Sequence, residues 1–149
     1  MRLRPALPSE ADALTELALR SKAHWGYDEA FMEACRAELT ITPARIEAEA
    51  MVVAEVDGRL AGFVAVAGGS LEDLFTEPTL IGTGVGSALL AEAVAIARAG
   101  GFAELSIEAD PHAADWYRSK GAVDAGTLPS GSIPGRRLPL LRLPLTETP

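Results

Sequence analysis

Cysteine is nearly absent from this chain: Cys35 is the only one among 149 residues. A lone thiol closes no intrachain disulfide and builds no thiolate zinc cluster, so a reducing cytoplasm is the expected setting and no metal is expected. Its bland role is that of a small buried apolar residue on the helix that carries Phe31. Positive charge is also scarce, with 13 Lys and Arg against 21 Asp and Glu and a net charge of −8. That balance argues against nucleic acid and anionic membrane as partners and makes a cationic amine the more welcome one. Long apolar runs are lacking too. No stretch is long enough to span a bilayer, and Met1-Arg2-Leu3-Arg4-Pro5 gives way to polar residues without the apolar centre of a leader peptide. With no repeat and no linker, one domain over residues 1–149 is expected, burying roughly two-thirds of the surface of the unfolded chain.

What is present is regular. Residues 2–6 read as a strand, and Pro8-Ser9-Glu10 opens a helix with Leu14, Leu17 and Ala18 on one face. Residues 28–39 read as a second helix, and Thr42-Pro43 starts a third that ends near Ala50. Apolar strands over residues 51–56 and 60–67 are joined by Asp57-Gly58, a two-residue hairpin signal. A strand at 71–76, a glycine loop with its helix, a strand at 103–109 and another helix follow. Two strands close the chain; Pro139 and Pro144 make residues 138–145 an expected edge strand, because proline cannot donate to a ladder. The order predicts an α+β (α/β-type) fold around a mixed sheet. The loop between the last two strands, with Ser130, Ser132 and Arg136, reads equally as an ordinary connection or as a cover over an acceptor site.

The glycine loop is the segment with chemistry in it. In Ile81-Gly82-Thr83-Gly84-Val85-Gly86-Ser87, three alternate glycines run from a strand into an amphipathic helix marked by Leu90, Val94 and Ala97 and stopped by Gly100-Gly101. Without Cβ atoms the backbone can press its amides against an anion, and the open N–H groups of a first helical turn add the positive end of the helix dipole. Two other readings compete. The glycines could serve only close packing, and a dinucleotide loop would put its third glycine at Ser87, after the first strand of its unit.

Downstream lies Asp110-Pro111-His112-Ala113-Ala114-Asp115-Trp116-Tyr117-Arg118-Ser119-Lys120-Gly121. Here the chain resembles the GNAT superfamily of acetyl-CoA-dependent N-acetyltransferases. These carry a (Gln/Arg)-x-x-Gly-x-(Gly/Ala) pyrophosphate loop and, one strand and one helix later, an Asn-x-x-Ala-x-x-x-Tyr-x-x-x-Gly segment. Gly84 and Gly86 fall on the first pattern; Asp110, Ala113, Tyr117 and Gly121 fall on the second. Ile81 stands where the family has Gln or Arg, so phosphate binding would rest on backbone amides. Asp110 stands where it has Asn, which puts a carboxylate near a polyanion unless its charge is used or neutralised.

The resemblance implies a mostly antiparallel mixed sheet with helices on both faces, and acetyl-CoA as cosubstrate. By distance from the loop, the Leu74 amide would face the acetyl oxygen, and the main chain of Phe75 and Thr76 would hold the pantetheine arm. The segment from Gly82 through Thr83, Gly84, Val85 and Gly86 to Ser87 would cradle pyrophosphate, with Asp110 also at the cofactor. Tyr117 would protonate the leaving thiolate. As general base, Glu72 shares strand parity with Leu74, whereas Asp73 points to the other face. Glu108 is a second candidate, and an amine arriving neutral needs neither. His24, Trp25 and Tyr27 are the expected acceptor-side residues. The acceptor is expected to be a small-molecule amine or an exposed amino group, and a homodimer is left open. A non-catalytic acyl-CoA-binding module of the same fold is the rival reading.

Overall fold

The computed structural model describes residues 1–145. Its strands are β1 (Arg2–Pro5), β2 (Ala50–Val56), β3 (Arg59–Ala67), β4 (Ser70–Thr76), β5 (Glu104–Glu108), β6 (Val123–Pro129) and β7 (Arg137–Pro144). The helices are α1 (Ala11–Ala23), α2 (Glu29–Leu39), α3 (Pro43–Ala48), α4 (Val85–Ala99) and α5 (Ala114–Ser119), with short 3-10 turns at Pro8–Glu10 and Pro78–Leu80. Local chemistry sets the boundaries. The Asp28 carboxylate accepts from the Phe31 amide at the start of α2, and Thr42 does the same for Arg45 ahead of α3. Asp57 and Gly58 both have positive φ, +52° and +75°, as a tight hairpin between β2 and β3 requires.

The seven strands form one sheet in the order β1-β2-β3-β4-β5-β7-β6, antiparallel everywhere except between β4 and β5. Alternation along the strands splits the apolar side chains into two cores. Val53, Phe63 and Ala65 pack with Leu14, Leu17 and Cys35 under α1, α2 and α3. Ala54, Val64 and Val66 pack with Leu89, Leu90 and Tyr117 under α4 and α5. Helices therefore cover both faces, the α+β arrangement expected. Among the described residues no helix is long and apolar enough to cross a membrane.

The expectation that residues 138–145 lie at an edge is overturned, since β7 sits between β5 and β6 and the edge belongs to β6. Both prolines are accommodated because neither stands between two paired neighbours. Pro139 is opposite Thr127 of β6, and β5 has already ended at Glu108. Pro144 is opposite Glu104 of β5, while β6 reaches only as far as Arg142.

Candidate active site

The sheet opens in its middle. β4 and β5 pair only at Ser70 with Ser106 and Leu71 with Ile107, although both strands continue. At that point β4 carries a bulge: Val66 faces Leu71 and Ala65 faces Asp73, so Glu72 is the extra residue. Beyond it the strands part around a cleft of about 1020 Å³, lined by β4, the glycine loop, the segment entering α5 and the end of α2. The Glu77 amide donates to Ala61 on β3 (2.8 Å). Antiparallel alternation then turns Phe75 and Asp73 toward β3 and leaves the main-chain groups of Leu74 and Thr76 on the open edge.

The glycine loop enters the cleft from one end. Gly82 and Gly84 have φ of +84° and +94°, and a Cβ built on either would meet nothing within 4 Å. Packing therefore does not explain these glycines. They are needed for the left-handed backbone that leads into α4. Within α4 the Ala88 amide donates to the Gly84 carbonyl (3.1 Å), which leaves the amides of Val85, Gly86 and Ser87 in the unpaired first turn. Gly82, Gly84, Gly86 and Ser87 line the cleft, whereas the Val85 side chain is buried in the core beneath and Thr83 turns its hydroxyl back to the Leu80 carbonyl (2.5 Å). Sequence reasoning missed a nearby cation. Lys120 donates to Ser87 Oγ (2.7 Å) and lies 5.5 Å over the Trp116 ring, beside a loop whose Gln/Arg position is the exposed Ile81. Its place one residue before Gly121 was the available signal.

Tyr117 lines the cleft with its ring 6% exposed, and its hydroxyl forms no hydrogen bond among the described residues. Burial, and then the charge of Asp73, push this hydroxyl well above its ordinary pKa, so it is held as a proton donor. Glu72 lines the cleft as expected. Asp73 does so as well, against the parity argument, because the bulge and the parting strands expose the wall from both faces of β4. Asp73 is 8% exposed and bound by Arg45, which also holds Glu49 (2.6 Å). Burial, and then the charges of Glu49 and Asp73, push the Glu72 carboxyl up. Glu108 also lines the cleft. The Arg45–Asp73 pair, 28 residues apart, left no trace in local sequence.

Asp110 is fully engaged by protein. It accepts from the Tyr27 hydroxyl (2.8 Å), Lys22 Nζ (3.1 Å) and the His112 amide (2.9 Å), with Arg136 at 3.5 Å. Its charge is thus neutralised, and the carboxylate ties α1, the Gly26 turn and the β6–β7 loop to the start of α5. Burial pushes its pKa up, but the His112 amide, Tyr27 and Lys22 outweigh that and hold it below the ordinary value. A folded-state pKa below the unfolded one gives stability that is present above the ordinary carboxylate range and lost as pH falls through the folded value. Asp110→Asn should therefore show a shallower acid limb than wild type in melting temperature between about pH 4 and pH 2. Parallel limbs would deny the carboxylate this role.

Of the expected acceptor-side residues, only Trp25 lines the cleft. It stacks on His112 with ring centroids 5.3 Å apart. Tyr27 lies behind, stacked on Phe31, its hydroxyl spent on Asp110 and accepting from Arg136 (2.7 Å). Burial, and then Asp110, push that hydroxyl up to about 12. His24 follows α1 and reaches only the edge of Trp25.

A parted β4–β5 pair, a glycine loop at one end and a buried tyrosine in the wall together frame the candidate site. The model of the acetyltransferase (GNAT) domain family matches residues 11–127, and the chain belongs to that family. A comparison with curated protein sequences finds no match. Solved structures share the fold. A GCN5-related N-acetyltransferase (aminotransferase, class II) from Rhodopseudomonas palustris is 24% identical with a TM-score of 0.83, over 96% of this chain and 94% of that one. The PaiA N-acetyltransferase of Thermoplasma acidophilum, in complex with coenzyme A, is 19% identical with a TM-score of 0.75, over 96% and 98%. YncA of Salmonella typhimurium, a putative acetyltransferase with its cofactor acetyl-CoA, is 21% identical with a TM-score of 0.70, over 100% and 96%.

Proposed function

We propose that this protein is an N-acetyltransferase that moves the acetyl group of acetyl-CoA directly to a primary amine of a small molecule or an exposed amino group. The observation that carries the reading is Tyr117, a buried side chain in the wall of the cleft that begins at the glycine loop, whose hydroxyl has no partner among the described residues. Two features support a fit to acetyl-CoA: Gly82 and Gly84, whose Cβ positions are open space, and a β4 edge without a β5 partner beyond Leu71. When bound, acetyl-CoA supplies an activated acetyl group on a thioester whose thiolate leaves. The amides of Gly84, Val85, Gly86 and Ser87 receive pyrophosphate, assisted by Lys120. The main chain of Leu74 and Thr76 holds the pantetheine arm, and the Leu74 amide donates to the acetyl oxygen as charge gathers there. Tyr117 delivers its proton to the departing sulfur.

Glu72 accepts the proton of the incoming amine, directly or through water. Its raised pKa makes it a stronger base than an ordinary carboxylate, and it forms no ion pair among the described residues, whereas Asp73 is committed to Arg45. Release of free thiol from acetyl-CoA in the presence of an amine panel tests the whole reading. Acetyl-CoA binding without turnover on any amine would favour the binding-module alternative. Glu72→Gln should lower kcat/KM most at low and neutral pH, where the acceptor is protonated, and converge on wild type as pH approaches the amine's own pKa. An acceptor of lower pKa should narrow the gap, which separates lost deprotonation from lost cation binding. Overlaying pH profiles would remove Glu72 as base and turn attention to Glu108.

A further inference from the structure

Neither Tyr27 nor Arg136 lines the cleft, yet the two meet across 109 positions of sequence. The Arg136 guanidinium donates to the Tyr27 hydroxyl (2.7 Å), which in turn donates to Asp110 (2.8 Å). The guanidinium carbon lies 5.2 Å from the centre of the Tyr27 ring and 4.8 Å from that of Phe31, and these two rings stack 3.9 Å apart. Arg136 is 17% exposed. A planar cation held on stacked aromatic faces and hydrogen-bonded at its edge is a fixed attachment, unlike a long side chain waving in water.

Arg136 belongs to the β6–β7 loop, residues 130–136, and that loop is closed on itself. The Ser130 amide donates to the Arg136 carbonyl (2.7 Å), the Arg136 amide to the Ile133 carbonyl (3.2 Å), and Ser130 Oγ accepts from the Ile133 amide (3.1 Å). Holding Arg136 therefore holds the turn as one body. Ile133 packs against the core under α1 and α2, so a loop released at Arg136 stays tethered. Gly131 of the loop and Leu138 just beyond it line the cleft, and Gly131 lies against the Glu38 carboxylate of α2. With the glycine loop and the β4 edge given to the carrier, the acceptor is left the wall made by Trp25, the end of α2 and this loop.

We infer that Tyr27 and Arg136 are a pair of positioning residues that set the β6–β7 loop as the acceptor-side wall of the cleft, touching neither acceptor nor carrier. The inference rests on the N-acetyltransferase reading for its effect on turnover, but not for the pinning of the loop. A loop in place about a tenth of the time raises the acceptor's KM about tenfold, and saturating acceptor restores the placed form. Tyr27→Phe and Arg136→Met should therefore each raise KM about tenfold for the fastest amine of a panel holding n-butylamine, benzylamine and glycinamide, with kcat and acetyl-CoA affinity close to wild type. Arg136→Lys should fall between, since lysine keeps the charge but loses the planar stack. The double variant should match Arg136→Met alone, as two halves of one contact do. Amide hydrogen exchange followed by mass spectrometry should quicken over residues 130–136 in each variant and stay unchanged over α4. Quickened exchange with an unchanged KM overturns the wall, and so does a parallel fall in kcat or acetyl-CoA affinity, which a general loosening of the fold would bring. Effects that add in the double variant overturn the pair. If no amine of the panel is acetylated, the transferase reading falls; quickened exchange then upholds the pinning, and unchanged exchange overturns it.

Discussion

Replacing Gly84 with valine should abolish acetyl-CoA binding, or weaken it by at least about a hundredfold, while the protein stays folded. Gly84 stands immediately before α4 with φ of +94° and ψ of −2°, a conformation that a β-branched residue adopts only at a cost of about 1–3 kcal/mol. Nothing lies within 4 Å of the position its Cβ would take, so the substitution creates no clash in the core. The backbone relieves the strain by leaving the left-handed region, and this swings the amides of Val85 and Gly86 away from the place where they converge. Gly84→Asn should fall between valine and wild type, because asparagine tolerates positive φ better. Calorimetric titration with acetyl-CoA, alongside circular dichroism and thermal melting, separates the two effects. An unchanged affinity in a well-folded Gly84→Val protein would sink the assignment of the loop to phosphate.

The parts of this site written into neighbouring residues were legible in the sequence. The left-handed glycines, the Asp57-Gly58 turn and the Asp28 and Thr42 caps are each decided within about four residues, and each stands where its chemistry requires. What escaped depends on distant pairings. The bulge that admits both Glu72 and Asp73 to the cleft arises from the register of β4 against β3, and alternation alone put Asp73 on the wrong side. Arg45 meets Asp73 across 28 positions and Lys22 meets Asp110 across 88. Tyr27 looked like a ligand platform for the reasons that make it a strut: an aromatic body to bury and a hydroxyl to spend. Its partner, Asp110, is the residue that departs from the family's Asn. The prolines of β7 misled because the rule that confines proline to edges holds per hydrogen bond, and each here falls beyond one neighbour's end.

Tyr117→Phe should lose about ten- to a thousandfold in turnover while retaining acetyl-CoA affinity and stability. Stability should stay within about 0.5 kcal/mol of wild type, because the hydroxyl has no partner among the described residues to be orphaned and the ring keeps its packing against Trp116. Affinity should hold because the expected anchors of the carrier are main-chain groups on the loop and on β4. Turnover should fall because the departing thiolate then has only solvent to draw a proton from, in a wall where burial and Asp73 keep the wild-type tyrosine protonated well beyond neutral pH. The same upward push predicts that wild-type kcat does not decline from tyrosine ionisation anywhere below about pH 10, the ordinary phenol value. A Phe variant with wild-type kcat would make Tyr117 a packing residue and leave the thiolate to water. One that loses affinity and turnover together would instead make the hydroxyl a binding contact to the carrier.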